Sequence, residues 1–172
     1  MTGKGSSQPG PRVDVLPPAW WADEMLGRLA RYLRIVGLDT AYVRGIDDDE
    51  ILRRSIDERR VLITRDRELA HRAPRSVLLS TVHIQDQWRE LRTRFPGLPN
   101  EPRFERCTVC NGRLLAVPPS GSAASIPAVP PRVLASHEPL FRCATCGHLY
   151  WEGSHTASVR RRLTEWSPGA AP

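Results

Sequence analysis

Val61-Leu62-Ile63-Thr64-Arg65-Asp66-Arg67-Glu68-Leu69 is the stretch on which the fold turns. Its first four residues are β-branched or apolar without a break, which suits a strand buried on both faces, as in a parallel sheet covered by helices above and below. The run delivers Asp66 just past its end, and a short helix is expected over Arg67–Arg72. The same grammar holds upstream. Ala19-Trp20-Trp21-Ala22 stops at Asp23, and Met25, Leu26, Leu29, Leu33 and Val36 then recur on one 3.6-residue face that Gly37 closes. Thr40 to Val43 reads as a second strand, followed by Asp47-Asp48-Asp49-Glu50, an acidic opening for a helix that turns Ile51, Leu52 and Ile56 inward. Downstream, Val77 to Ser80 repeats the strand, and Gln85 to Phe95 carries Trp88, Leu91 and Phe95 at helical spacing up to Pro96-Gly97.

Four βα units between residues 19 and 95 predict a small doubly wound parallel sheet, because parallel neighbours need right-handed helical crossovers. With strand order 2-1-3-4, strands one and three meet at the switch point, and ligands bind at the carboxyl ends of strands there. Asp23, the acids at 47–49 and Asp66 each follow a strand, so this topology gathers them at one edge. Trp20, Trp21 and Trp88 are expected in the core.

The chain has 172 residues with 40% hydrophobic and 26% charged, which excludes the disordered and collagen-like classes and fits one domain with a smaller companion. No apolar run approaches a membrane span, and residues 1–15 lack the apolar core of a signal peptide, so a cytoplasmic protein without a membrane partner is expected. The net charge is +6, and Lys4 is the only lysine among 25 basic residues. Arginine suits phosphate through its planar fork, although a GC-rich genome produces the same bias. There is no P-loop, G-x-G-x-x-G or G-x-S-x-G, which argues against the commonest nucleotide and serine-hydrolase sites.

All four cysteines lie in the last third, as Cys107-x-x-Cys110 and Cys143-x-x-Cys146, 32 residues apart and followed by Gly112 and Gly147. Two such knuckles presenting four thiolates to one ion read as a structural zinc site, with iron the other metal this ligand set accepts. The organisation that follows is a flexible segment 1–18, an α/β body 19–98, a zinc module 103–156 with a Pro/Ala-rich loop at 118–131, and a basic tail 157–172.

A carboxylate cluster at a sheet edge can hold Mg²⁺ or Mn²⁺, ions that activate water against a phosphodiester. Each acid also has a plainer reading as a helix cap or turn residue. Arg28, Arg31 and Arg34, three apart on a helix, and Arg65 beside Asp66 read either as RNA-phosphate contacts or as solvated surface. Tyr150 and Trp151 read as base-stacking or module-packing residues, and His155 as a phosphate or proton-transfer group or a solvated histidine.

Asp23-Glu24-Met25-Leu26-Gly27-Arg28-Leu29-Ala30-Arg31-Tyr32-Leu33-Arg34, Gly37-Leu38-Asp39-Thr40, the acids Asp47–Glu50, Leu62 to Leu69, both cysteine pairs and Tyr150-Trp151-Glu152-Gly153-Ser154-His155 together resemble the Mut-seven C-terminal ribonuclease family. The resemblance covers about residues 19–156. It implies a PIN-like three-layer α/β/α nuclease domain followed by a four-cysteine zinc ribbon, acting on RNA with Mg or Mn. Carried over by position, Asp23 matches the first PIN acid, Asp48 the middle acid with Asp49 beside it, and Asp66 the Asp at the T-x-D strand end. Asp86 is the one residue available for a further acid. Arg28, Arg31, Arg65 and His155 are the RNA-binding candidates. The expected activity is a metal-dependent endoribonuclease, with a weakly active RNA or ribonucleoprotein adaptor built on the ribbon, or a PIN-type toxin with a regulatory protein partner, as the alternatives.

Overall fold

The computed structural model describes residues 15–118, 129, 133 and 139–167. Its body alternates strands and helices: β1 (Ala19–Ala22), a 3-10 turn (Glu24–Leu26) leading into α1 (Gly27–Ile35), β2 (Asp39–Ala41), α2 (Asp48–Asp57), β3 (Val61–Thr64), α3 (Arg67–Arg72), β4 (Ser76–Leu78) and α4 (Ile84–Arg94). The four strands form one parallel sheet in the order β2-β1-β3-β4, the order under which the strand-end acids meet at one edge.

Strand periodicity sorts the core into two layers, since successive side chains point to opposite faces. Trp20, Ala22, Val61, Ile63 and Val77 pack with Leu29 and Leu33 of α1 and Trp88 and Leu91 of α4. Trp21 and Leu62 turn the other way, onto Ile51 and Leu52 of α2 and Leu69 of α3. Trp20, Trp21 and Trp88 are all buried, and each such side chain removed from water is worth about 1.5–3 kcal/mol before entropy is counted. β2 and β4 each begin one residue earlier than the hydrophobic runs suggest. Asp39 and Ser76 pair with Ala19 and Leu62, so polar residues open both outer strands. Leu79 keeps its ladder bond to the Thr64 carbonyl at 2.8 Å although it lies past the end of β4.

The second sheet is antiparallel, β5 (Leu114–Val117), β6 (Leu140–Cys143) and β7 (Leu149–Trp151), in that order. Most of the loop expected at 118–131, and residues 1–14 of the expected flexible segment, lie outside the described residues.

Met25 and Ile56, expected on inward helix faces, are instead 54% and 52% exposed. Two larger expectations change as well. Residues expected to run from the zinc module into a tail form one helix, α5 (Ser154–Glu165). Val159 and Leu163 of α5 enter the same core as Leu29 and Leu33, and the Trp166 ring meets Tyr32 at 5.0 Å. Val159, Leu163 and Trp166 make an i, i+4, i+7 stripe, which the intervening Arg160-Arg161-Arg162 obscures in sequence. The other change concerns Arg34. It is 5% exposed and cannot serve an RNA-facing stripe. Its Nε donates to the Thr40 carbonyl at 2.8 Å, and Nη1 donates to the Thr108 and Val109 carbonyls at 3.2 and 3.0 Å, stapling the body to the first cysteine knuckle.

Asn111 completes that junction. Its Oδ1 accepts from the Thr40 backbone N–H at 3.0 Å and its Nδ2 donates to Asp39 Oδ1 at 2.7 Å, so a side chain pairs with the outer edge of β2. Among the described residues, no helix is long and apolar enough to cross a membrane.

Candidate functional site

Asp23 leaves β1 in extended conformation, and its backbone N–H donates to the Ile63 carbonyl at 3.0 Å. It stands at the start of a 3-10 turn yet makes no side-chain cap bond. The carboxylate instead turns to β3, where Oδ2 accepts from Thr64 Oγ1 at 2.6 Å, and Asp23 is 5% exposed. Thr64 is fully buried, and its hydroxyl also accepts from the Asp66 backbone N–H at 2.9 Å. One hydroxyl therefore fixes both strand-end acids. Sequence alone places Thr64 in the strand and gives it no role. The available signal is its position two residues before Asp66 on a strand adjacent to β1.

Asp66 caps α3: Oδ1 accepts from the Glu68 and Leu69 N–H groups at 2.7 and 2.9 Å, so the plainer reading of this acid is part of its role. The cap of α2 is Asp47, which accepts from Glu50 N–H at 2.8 Å. Asp48, the first residue of α2, is left exposed. Its carboxyl is pushed above the ordinary range by partial loss of solvent and then by the carboxylates of Asp23 and Asp66. The three acids share one electrostatic neighbourhood.

Asp49 departs from the group and pairs with Arg72 of α3. Asp86, in the first turn of α4, pairs with Arg89 at 2.9 Å. Arg28 and Arg31 are exposed on α1, and Arg65 lies partly exposed between Thr64 and Asp66. His155 is exposed in the first turn of α5.

The cysteines assemble far more tightly. Among the described residues they are the one group of three or more metal-type side chains whose ligand atoms all lie within 4.8 Å of one another. Cys107 Sγ is 3.6 Å from Cys146 Sγ, and Cys110 Sγ is 3.5 Å from Cys143 Sγ. Each knuckle turns a backbone N–H onto its first sulfur, Cys110 N–H to Cys107 and Cys146 N–H to Cys143, both at 3.5 Å. Asn111 and Gly147, each directly after the second cysteine of its knuckle, have φ of 68° and 73°. Asn and Gly tolerate that left-handed turn. A Cβ on Gly112 would sit 2.9 Å from Cys143 Sγ, so glycine there serves the close approach of the two knuckles.

Tyr150 sets its hydroxyl 3.1 Å from Cys107 Sγ while accepting from Thr108 N–H at 3.1 Å. The thiols do not share ionisation equally. Burial pushes Cys110 up to about 12, whereas at Cys143 burial is outweighed by the Cys146 and Thr145 amides, which bring it down to about 6. The four-thiol set, with knuckle amides on its sulfurs, is compatible with a structural zinc.

A family model described as the Mut7-C RNAse domain matches residues 18–163. The chain belongs to that family. The Mut7-C match runs from the residue before β1 into α5, so it takes in the parallel sheet, both knuckles and the helix that returns to the core. No curated protein and no solved structure matches the chain. Membership carries a ribonuclease-type function, with RNA as the substrate class.

Proposed function

We propose that this protein is a metal-dependent endoribonuclease in which Asp23, Asp48 and Asp66 hold Mg²⁺ or Mn²⁺ and the cysteine module holds a structural Zn²⁺. The observation that carries the reading is Asp23. A carboxylate buried to 5% exposure, with Thr64 as its one side-chain donor and no cationic partner among the described residues, is costly unless a counter-charge is supplied. The rise at Asp48, set first by loss of solvent and then by the Asp23 and Asp66 carboxylates, fits a site that a cation would complete. Hard oxygen donors of this kind suit Mg²⁺ or Mn²⁺ rather than zinc. Either ion, when bound, lowers the pKa of water and offsets charge developing on the phosphate oxygens.

The chain's own residues have separable parts in this reading. Thr64 holds Asp23 in one rotamer and ties it to Asp66. The α3 cap engages Asp66 Oδ1, and no hydrogen bond from the described residues occupies Oδ2. Arg72 draws Asp49 aside, so Asp48 is the acid of its cluster turned to Asp23 and Asp66. Arg28 and Arg65 supply guanidinium forks for the RNA backbone on either side.

The test is cleavage of an end-labelled RNA pool by metal-stripped, zinc-reloaded protein, with and without Mn²⁺, beside Asp66→Asn. Products that require Mn²⁺ and vanish in the variant support the reading. RNA binding with no Mn²⁺-dependent product from wild type would replace it with the adaptor.

A further inference from the structure

A cavity of about 340 Å³ opens between α1, the ribbon and the start of α5. It lies beside the second half of α1, lined there by Arg31 and Ile35, whereas Asp23 stands before the first turn of that helix. Its size falls at the lower end of the ~300–1,000 Å³ typical of small-ligand pockets, so it suits one compact group rather than a long chain.

The walls specify that group. Phe104, His148, Tyr150 and Trp151 contribute rings, and Arg31 and His155 contribute basic groups. Trp151 is half-buried, and its indole N–H donates to no acceptor among the described residues, the Thr156 hydroxyl reaching only its backbone carbonyl. Tyr150 is already committed to Cys107 and Thr108, and His148 leans on the Tyr150 ring at 5.0 Å. Phe104 is stacked on Phe141 at 4.8 Å, so these three rings are already partnered and Trp151 is the lining ring left free to accept a base. Arg31 and His155 are exposed with no acidic or carbonyl partner among the described residues, unlike Arg34 in the same helix. A flat aromatic wall beside an unpaired guanidinium matches a base with its phosphate attached, since every base offers a π-face and Arg binds phosphate through its fork.

We infer that this cavity takes one unpaired nucleotide of the RNA, its base against Trp151 and its phosphate on Arg31. This rests on the ribonuclease reading for the identity of the polymer and adds the place where the strand is gripped. Arg28 stands one helical turn from Arg31 toward the acids and lines a smaller cavity of about 280 Å³ beside Met25 and His83. A strand held at Trp151 thus runs along α1 past Arg31 and Arg28 to Asp23. The ribbon selects single-stranded RNA by admitting an unstacked base, which a duplex cannot offer without opening.

The experiment uses zinc-loaded full-length Asp66→Asn protein and fluorescein-labelled 12-nucleotide single-stranded RNA, followed by anisotropy, with the same sequence annealed into a duplex as the second probe. Trp151→Ala and Arg31→Ala should each weaken single-strand binding about tenfold, and Trp151→Phe should recover most of the loss. Arg161→Ala, which removes an exposed charge elsewhere on α5, should change it less than twofold. The duplex should bind at least tenfold more weakly than the single strand.

Arg31→Ala lies on an exposed helix face, so it keeps the test valid if Trp151→Ala unfolds the ribbon, which zinc content and a thermal melt will reveal. Equal losses in Arg31→Ala and Arg161→Ala would mean general charge attraction and overturn the pocket. Unchanged binding in the Arg31 and Trp151 variants would overturn it too and leave the cavity as a protein-docking groove. Those results stand apart from the nuclease test. Mn²⁺-dependent cleavage by wild type with no pocket effect sinks only the pocket, and a pocket effect with no cleavage sinks only the nuclease.

Discussion

Thr64 Oγ1 donates to Asp23 Oδ2 across the β1–β3 pair at 2.6 Å, and this bond joins the centre of the sheet to the acid cluster. Thr64→Val keeps the shape and removes the hydroxyl, which leaves the Asp23 carboxylate without its donor and the Asp66 N–H without its acceptor. An unsatisfied buried group costs about 1–3 kcal/mol, and losing a residue that orients a ligand typically costs about 10–100-fold in activity or metal affinity. Thr64→Val should therefore lose stability on that scale in urea denaturation and at least about tenfold in Mn²⁺-dependent cleavage, while Thr64→Ser recovers both. A valine variant as stable as wild type would show that Asp23 has another partner.

Arg34 makes the zinc module part of the body's stability. Two of its three acceptors are the Thr108 and Val109 carbonyls, which lie between Cys107 and Cys110 and keep their places only while the knuckle is closed. Stripping zinc should lower the melting temperature of the parallel sheet along with the ribbon, as one shifted transition. Arg34→Met in the zinc-loaded protein should destabilise by about 1.5–3 kcal/mol, the scale for losing a charged donor to buried carbonyls. Circular dichroism melts with and without a strong chelator check both. Two transitions, with the body's unmoved, would refute the coupling.

Asp39 gives the junction a pH dependence. Burial alone would raise its carboxyl, but hydrogen bonds from Arg60 and Asn111, with the charges of Arg60 and Arg106, hold it below the ordinary carboxylate range. A carboxylate depressed in the folded state contributes stability above its unfolded value of about 3.9, and that contribution is lost as pH falls through the folded value. Wild type should thus be more stable than Asp39→Asn at pH 7, and the gap should narrow as pH drops below about 4. Paired denaturation curves at matched zinc loading measure the gap directly. A gap constant from pH 7 to 3 would place the Asn effect elsewhere.

The parallel sheet is legible because burial on both faces leaves a plain trace at Val61–Thr64 and the helix follows at Arg67–Arg72, whereas crossover handedness makes the strands parallel without fixing their order. The cysteine knuckles were equally plain, since spacing alone dictates them. What the pattern hid was whatever depends on pairing between distant segments. Arg34 looks like its neighbours Arg28 and Arg31, and only the packing of the knuckle on β2 buries it. Asn111 looks like a turn residue, and its bond to Thr40 N–H joins positions 71 residues apart. Thr64 is visible in sequence as the first residue of the T-x-D strand end, but its role shows only when β1 supplies Asp23 beside it. α5 escapes the pattern because a run of three arginines breaks up an apolar stripe that only the body's core reveals.

Asp66 has two roles that substitution can separate. Its Oδ1 caps α3, and its carboxylate belongs to the proposed ion site. Asn caps as well as Asp, because its side-chain carbonyl accepts from the same N–H groups, whereas Ala forfeits about 0.5–2 kcal/mol. Asn is neutral, however, and a poor ligand for Mg²⁺ or Mn²⁺ beside a carboxylate. Asp66→Asn should then melt within about 0.5 kcal/mol of wild type yet lose Mn²⁺-dependent cleavage by more than about 100-fold, while Asp66→Ala loses both. It should also bind single-stranded RNA at least as tightly as wild type without added metal, because one negative charge facing the phosphates is gone. Differential scanning calorimetry, gel-resolved cleavage and anisotropy on the same preparations make the comparison. Full cleavage by Asp66→Asn would remove Asp66 from the ion site and leave it a helix cap alone.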